Sequence, residues 1–255
     1  MIGHVEWTEF ALVDRVPAPG MIAHATEYWS GPAGGGSVVA VQLAKLAGGC
    51  ELFTALGDDE LGHASERQLA ELGLNVHTEW FGRTRRAITF VDDRGERTIT
   101  TIGEKLRPRT VRQLEGYDAV FFVAGEPDVL RAARAARFLA ATPRELPTLL
   151  EGGVKLDLLV GSGTDPGERY DGGLDAAVVV RTKGAAGGVA NERRYEAAPP
   201  EQPVVDAYGA GDSFAAALCF ALARGDALDD ALALAARAGA AVVTGAGPYA
   251  AQLTR

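Results

Sequence analysis

A chain of 255 residues, of which 47% are hydrophobic and 23% charged, is long enough to bury a large core and has a globular composition. Its net charge of −9 argues against long nucleic acids as partners, because binding them requires a basic surface, and no apolar run is long enough to cross a membrane. Only Cys50 and Cys219 are present, which excludes a disulfide scaffold and a cysteine-ligated zinc site. The first residues lack a secretory signal pattern, so we expect a cytoplasmic protein.

Buried strands are predicted where short, nearly continuous apolar runs rich in β-branched residues occur. These runs are residues 50–56, 119–124, 156–160 and 176–180. Two further strand-like runs, 86–92 and 97–102, flank a turn in which Gly95 is free to take a positive φ. We expect this hairpin to leave the main sheet and to cover a ligand site at the carboxyl ends of the strands.

Helices are predicted where apolar residues recur with helical spacing between capping residues and glycines. Ser37 is the expected cap of the first helix, Asp58 is that of the second, and Pro127 opens the third. The predicted helices cover residues 38–47, 60–72, 127–140, 212–224 and 228–244. Strands that alternate with helices in this way indicate one α/β domain over residues 1–255, with a mostly parallel sheet and helices on both faces.

The strongest candidate site is the glycine-rich segment 206–212, which stands directly before an apolar helix. Gly209 and Gly211 let a ligand approach the backbone, and the free amides and dipole of the helix then favour an anion. Asp212 at the rim of this anion hole can accept a proton from a hydroxyl group. The alternative is that Asp212 only caps the helix, which is the commoner role of such a residue when the motif is considered alone.

A second glycine cluster, Gly34-Gly35-Gly36, also precedes a helix. Three glycines leave space and free amides for a polyhydroxylated ligand, although a surface loop is an equally good interpretation. The chain has no Gly-Lys-Ser/Thr and no G-x-G-x-x-G between a strand and a helix, which excludes a Walker A loop and disfavours a Rossmann dehydrogenase. The four histidines have no i, i+4 spacing, so a histidine metal site is not expected.

Three more segments complete a pattern along nearly the whole chain: Gly57–Gly62 (G-D-D-E-L-G), the turn 92–98 of the hairpin, and residues 180–185. Together with the two glycine clusters they resemble the PfkB or ribokinase-like family of carbohydrate and nucleoside kinases. The resemblance implies a ribokinase-like fold with a small β-sheet lid built from about residues 7–33 and 79–104. It also implies ATP-dependent phosphorylation of a hydroxyl group of a sugar or sugar-like molecule, with Mg²⁺ on the phosphates.

The resemblance also implies roles for individual residues. Asp212 would be the catalytic base, and the amides of Gly209, Ala210 and Gly211 would form the anion hole. Thr182 and Gly184 would lie along the nucleotide, and Ala236, Gly245 and Ala246 would lie near the adenine or a monovalent-cation loop. Asp206 would help to hold that cation, expected to be K⁺.

Several positions depart from the family pattern. Ser162-Gly163-Thr164-Asp165 stands in place of an Asn-x-x-Glu motif, which makes Asp165 the candidate for organising magnesium-bound water. Thr8 replaces a sugar-binding Asp, but Glu6 points to the same face of the strand and could supply the carboxylate; Glu151 is the next candidate. Val38 stands where many members have a sugar-contacting Asn, beside the substrate-site glycines. We therefore expect an altered and more apolar substrate pocket.

The run Arg83-Thr84-Arg85-Arg86 leads into the hairpin. Its arginines could meet a carboxylate or phosphate of the substrate, although a solvated strand edge is the more common arrangement. Two alternatives to a sugar kinase remain open: a nucleoside kinase, favoured by Val38 and Trp7, and a catalytically weak ligand sensor, favoured by the altered motifs. The lid is also a candidate contact for a homodimer.

Overall fold

Strands and helices alternate along the chain in the computed structural model, which describes residues 1–255. The strands are β1 (Glu6–Leu12), β2 (Glu27–Ala33), β3 (Cys50–Leu56), β4 (Leu74–Trp80), β5 (Arg86–Val91), β6 (Arg97–Ile102), β7 (Ala119–Phe122), β8 (Phe138–Ala141), β9 (Leu156–Ser162), β10 (Ala176–Thr182), β11 (Gly188–Ala190) and β12 (Arg193–Tyr195). The helices are α1 (Gly35–Ala47), α2 (Glu60–Glu71), α3 (Pro127–Ala133), α4 (Leu146–Gly152), α5 (Ala210–Arg224) and α6 (Leu228–Val242).

The central sheet is mostly parallel. Six of its strands pair in the order β12-β11-β10-β9-β8-β7, and β3 pairs with β4 beside them. Ile2 joins the two groups because it bridges both Phe53 of β3 and Phe122 of β7. Only β11 and β12, at one edge, run antiparallel to their neighbours. The predicted α/β fold with a parallel core is confirmed.

A second, smaller sheet forms the lid, with strand order β2-β1-β5-β6. Strands β1 and β5 are parallel, while the other two pairs are antiparallel. The β5–β6 hairpin lies where the sequence predicts it, and Gly95 in its turn has a φ of 76°. Strand β6 is exposed along its length, and the homodimer contact expected through the lid stays a prediction.

Helices cover both faces of the central sheet because the sheet is apolar on both sides. The larger core cluster, of 28 buried residues, packs α1, α5 and α6 against one face. A second cluster of 14 buried residues lies on the other face with α3 and α4. None of the helices combines the length and apolar character needed to span a membrane.

The predicted helix 127–140 is wrong in its second half. Helix α3 ends at Ala133, and Phe138–Ala141 forms strand β8 instead. Alanine-rich residues favour a helix locally, but here β8 fills a parallel position between β7 and β9, and this tertiary pairing overrides the local preference.

Two predicted helix caps are also wrong. Helix α1 starts at Gly35, so Ser37 lies inside it and its hydroxyl donates to the carbonyl oxygen of Gly34 at 3.0 Å. Helix α2 is capped by Asp59, whose carboxylate accepts from the Gly62 amide at 2.9 Å, whereas Asp58 points outward to His63. Asp59 also binds the backbone N–H and hydroxyl of Thr84, and the cap thereby ties α2 to the segment that enters the lid.

Candidate active site

A cleft of about 630 Å³ lies between the lid and the carboxyl ends of the central strands. Strands β9 and β10 contribute Ser162 and Thr182 from their carboxyl ends, β6 contributes Arg97, and α5 contributes Asp212. Only six of the 25 lining residues are hydrophobic, so the cleft is mostly polar, and the expectation that it is more apolar than the pocket of the family it resembles stays a prediction. Val38 and Thr8, the two residues on which that expectation rested, do not line the cleft.

The two glycine clusters meet in this cleft, because α1 and α5 point their N-termini at the same space. The Tyr208 hydroxyl accepts a hydrogen bond from the Gly34 amide at 3.1 Å and so links the two loops. A Cβ atom at Gly35 would lie 3.2 Å from a carboxylate oxygen of Asp212. Gly34 and Gly209, which precede the helices, have φ values of 92° and 83°, a conformation that glycine adopts without strain.

The N-terminus of α5 offers free backbone donors to the cleft. The N–H groups of Gly209, Gly211 and Asp212 make no hydrogen bond within the protein. The Ala210 amide points instead toward the Ala207 carbonyl oxygen, 3.4 Å away, and Ala210 does not line the cleft. The expected anion hole is therefore corrected to the two glycine amides and that of Asp212, with the positive end of the helix dipole behind them.

The Asp212 side chain is half-buried and makes no hydrogen bond within the protein. Burial raises its pKa to about 6, and the negative charge of Glu168 acts in the same direction, against the opposing charges of Arg97 and Arg144. A carboxylate with this pKa is ionised at neutral pH and is basic enough to take up a proton during a reaction.

An acidic pair, Asp165 and Glu168, follows β9 at the edge of the cleft. The Arg144 guanidinium binds both carboxylates, at 2.6 Å and 2.8 Å. Burial opposes ionisation of Asp165, but Arg144 and the Gly167 amide prevail and hold the pKa of this carboxyl below its usual value. Sequence reasoning missed Glu168, although it ends the same short acidic segment.

Strand β1 brings Glu6 into the cleft and carries Thr8 away from it. Glu6 is only 6% exposed; burial raises its pKa, while the charges of Arg85 and Lys105 oppose the shift. Thr8 is fully buried outside the cleft, and its hydroxyl has no partner. Glu6 and Thr8 are separated by two residues of strand, or about 7 Å, so Thr8 lies beyond the edge of the cleft although both side chains point to the same face of β1.

Three other predicted substrate residues lie outside the cleft. Val38 is buried in a cluster with Phe10 and Tyr208. Gly36 packs against the backbone of His4, since a Cβ atom there would come within 2.3 Å of the His4 carbonyl oxygen. Glu151, the second candidate for a sugar-binding carboxylate, is exposed on α4. Gly34 and Gly35 do line the cleft.

The predicted nucleotide residues are more scattered. Thr182 lines the cleft, and Gly184 begins an exposed turn two residues further on. Ala236 lies on α6, and Gly245 and Ala246 lie just after it; all three are outside the cleft.

Asp206 is fully buried and also lies outside the cleft. Its carboxylate accepts from the Tyr208 amide at 2.8 Å and from the Gly247 amide at 3.0 Å. Burial raises its pKa, and these amides partly offset the shift. Asp206 therefore joins the loop before α5 to the loop after α6. No group of three or more His, Cys, Asp or Glu side chains is arranged as a metal site.

Comparisons with known proteins identify relatives over most of the chain. The profile of the family described as pfkB family carbohydrate kinase matches residues 1–141 and 171–255. The chain is 27% identical, over 84% of its length and 81% of the other protein, to an ATP-dependent ribose-1-phosphate kinase of Halopiger xanaduensis.

Solved structures share the fold. The ribokinase of Thermotoga maritima matches with a TM-score of 0.76 and 21% identity, over 99% of this chain and 95% of that one. The ribokinase of Arabidopsis thaliana in complex with ribose and ATP matches with a TM-score of 0.73 and 20% identity, over 98% and 93%.

Proposed function

The chain belongs to the pfkB family of carbohydrate kinases, and we propose that it transfers the γ-phosphoryl group of ATP to a sugar hydroxyl with Asp212 as the base. One observation carries the proposal: the Asp212 carboxylate stands beside three unpaired amides at the N-terminus of α5. A base next to an anion hole is the pair of groups that phosphoryl transfer to a hydroxyl requires.

Asp212 would accept the hydroxyl proton as the oxygen attacks phosphorus in line with the leaving group. Its pKa of about 6 suits this role, because the carboxylate is ionised at neutral pH and is a stronger base than an ordinary aspartate for the hydroxyl proton. The free amides of Gly209 and Gly211 would donate to the phosphoryl oxygens, where negative charge is concentrated. Catalysis then consists mainly of positioning and electrostatic stabilisation.

The acidic pair Asp165 and Glu168 supports a role in holding Mg²⁺. Magnesium is commonly bound by one or two carboxylates together with substrate phosphates, and this donor set fits that pattern. When bound, Mg²⁺ would neutralise charge on the phosphates of ATP. Arg144 binds both carboxylates at the edge of the cleft and lowers the pKa of Asp165, although it also competes with a metal ion for them.

Two further assignments belong to the proposal. Thr182 would contact the nucleotide from the end of β10. The adenine would extend beyond the cleft, where the other residues expected at the nucleotide lie: Gly184, Ala236, Gly245 and Ala246. Asp206 fits a monovalent cation, because a fully buried carboxylate that meets only two amides has no paired positive charge. We expect K⁺ to raise the melting temperature of the nucleotide-free protein more than Na⁺, and Asp206→Asn to remove the difference.

Glu6 would orient the acceptor by binding its hydroxyl groups. The relatives leave the acceptor open, since one is named for ribose 1-phosphate and another was solved with ribose. Neither Val38 nor Trp7 lines the cleft, which removes the two residues that favoured a nucleoside over a sugar.

The proposal is tested by ADP release in a coupled assay with ATP, Mg²⁺ and a panel of sugars and sugar phosphates. We expect turnover by the wild-type protein and a kcat about 10²–10⁴-fold lower for Asp212→Asn, the usual contribution of a general base. Affinity for ATP, measured by titration calorimetry, should not change. Turnover of Asp212→Asn at the wild-type rate would refute the assignment of the base.

A further inference from the structure

The wall of the cleft around Glu6 carries a group of basic side chains that the reaction above does not use. Arg85 and Lys105 line the cleft here, and Arg107, outside the cleft lining, contacts the same carboxylate as Lys105, that of Glu145. Arg85 is 16% exposed and Lys105 20%, so both cations are largely withdrawn from water. Arg83, two residues before Arg85, is exposed and does not line the cleft.

The carboxylates near this basic group are too few to pair all of its charges. The Glu145 carboxylate, which is 3% exposed, forms ion pairs with two cations, Lys105 at 2.9 Å and Arg107 at 3.5 Å. The Arg85 Nε atom lies 3.4 Å from Glu6 without a hydrogen bond. Three cations therefore share two carboxylates. Burial raises the pKa of Glu6, which disfavours the negative charge of this carboxylate and so makes it a weaker counter-charge for Arg85.

Unpaired nitrogen atoms lie at the same place. The buried Nε atoms of Arg85 and Arg107 and the Nδ1 atom of His4 have no hydrogen-bond partner. Burial and the surrounding cations lower the pKa of His4 well below its usual value, so the imidazole is neutral and adds no charge of its own. Buried donors without acceptors are costly, and withdrawn cations without counter-charges more so. An anionic oxygen atom bound in the cleft would supply an acceptor and a counter-charge to Arg85, which lines it.

The basic group lies beside Glu6, the carboxylate assigned to the acceptor. The Arg85 Nε atom is 3.4 Å from Glu6, and the charges of Arg85 and Lys105 oppose the rise in the pKa of Glu6. The free amides assigned to the phosphoryl group belong instead to Gly209, Gly211 and Asp212 at the start of α5. Arg85 and Lys105 are therefore assigned to the acceptor rather than to the transferred phosphoryl group.

We propose that the acceptor is an anionic sugar, bearing a phosphate or a carboxylate, and that Arg85 and Lys105 bind this group while another hydroxyl of the sugar faces Asp212. This inference rests on the proposed kinase function and adds the chemical class of the acceptor. The Arg85 guanidinium supplies a planar pair of donors suited to either anion, and Lys105 supplies a compact charge. Glu6 binds hydroxyl groups between the two ends.

The test measures binding without ATP, so that it does not depend on turnover. Titration calorimetry compares each neutral sugar with its charged counterparts: ribose with ribose 1-phosphate, ribose 5-phosphate and ribonate, fructose with fructose 6-phosphate, and glucose with gluconate. Inorganic phosphate serves as the minimal probe. We expect at least one charged sugar to bind about 10-fold or more tightly than its neutral partner, and added salt to weaken only the charged ligand. Comparing the sugar phosphates with the sugar acids shows whether the site prefers a phosphate or a carboxylate group.

Variants assign the effect to the basic group. Arg85→Gln and Lys105→Gln should each remove most of the preference for the charged sugar, whereas Arg83→Gln, a matched loss of charge outside the cleft, should keep it. Lys105→Arg retains the positive charge beside Glu145 and should restore binding if Lys105→Gln also lowers stability. Equal affinity for neutral and charged sugars, or a preference that survives both glutamine variants, would overturn the inference.

The two proposals fail in different ways. Tight binding of a sugar phosphate without ADP release would refute the kinase assignment and leave the anion site standing. Phosphorylation of neutral sugars with a kcat/KM at least equal to that of charged ones would refute the anion site and leave the kinase standing.

Discussion

Arg97, the first residue of β6, donates a hydrogen bond to the carbonyl oxygen of Ala207, 3.1 Å away in the loop that precedes α5. The Ala207 amide donates in turn to the Gly95 carbonyl oxygen in the lid turn, at 2.9 Å. The lid is thus bonded to the loop that leads into the anion hole. Arg97 also lines the cleft, and its charge acts on Asp212.

We predict that Arg97→Gln lowers kcat by about 10–100-fold, which corresponds to one hydrogen bond to a charged group of about 1.5–3 kcal/mol. The reason is that Arg97 both bonds the lid to the loop before α5 and adds positive charge beside Asp212. Arg94→Gln is the matched control, because Arg94 lies in the same turn but pairs outward with Asp92. Equal rates for the two variants would contradict the coupling of lid and loop.

The pH dependence of kcat/KM should report the protonation of Asp212. The carboxylate must be ionised to act as a base, so activity should fall as the pH decreases through about 6. The charge of Glu168 raises this pKa, while those of Arg97 and Arg144 lower it. We predict that Glu168→Gln moves the acidic limb of the profile to lower pH; a limb that stays in place would mean that another group controls it.

Stability should also depend on the ionisation of Asp212, with a definite sign. Its pKa in the folded protein is raised from 3.8 to about 6, so the folded state holds the proton more tightly than the unfolded state and ionisation destabilises the fold. We predict that Asp212→Asn raises the melting temperature at about pH 8, and that the gain shrinks as the pH falls below 6. Asp165→Asn should do the opposite near neutral pH, because the pKa of Asp165 is lowered in the folded state.

Gly209 and Gly211 should respond differently to a side chain. A Cβ atom at Gly211 meets nothing within 4 Å and would project into open space at the α5 N-terminus, so Gly211→Val should fold normally but lose activity. Gly209 has a φ of 83°, and its Cβ atom would lie 3.1 Å from Val38, so Gly209→Val should melt at a lower temperature. Full activity per folded molecule of Gly211→Val would remove the anion hole from the mechanism.

Glu6 and Thr8 provide a direct comparison on one strand. Glu6→Gln should raise the KM for the sugar by about 10–100-fold and leave the KM for ATP unchanged, because a charged hydrogen-bond acceptor for the sugar is lost. Thr8→Val should leave both constants unchanged and keep or increase stability, since it replaces an unpaired buried hydroxyl with a methyl group. An unchanged sugar KM for Glu6→Gln would leave the sugar-binding carboxylate to be found elsewhere in the cleft.

The local sequence alone determined much of the framework. The apolar runs predicted four of the parallel strands, β3, β7, β9 and β10. The glycines at 48 and 225 end their helices because a glycine with positive φ closes a helix without strain. The segment 206–212 predicted a helix N-terminus with free amides and an acid at its rim, since both depend only on neighbouring residues. These strands, helix ends and free amides can be predicted from the sequence because each depends on residues that are close together in the chain.

Other features were decided by tertiary structure, because they depend on residues far apart in the chain. Strand β8 exists only because two neighbouring strands leave a position for it, against the helical preference of its alanines. Glu168 approaches Asp212 through the packing of α5 against β9. The pKa of Asp212 is set by burial and by the charges of Glu168, Arg97 and Arg144, which are distant in sequence. Neither can be predicted from the local sequence. The convergence of Arg85 and Lys105 on the cleft, and the pairing of Lys105 with Glu145, likewise arise from chain segments brought together by the fold.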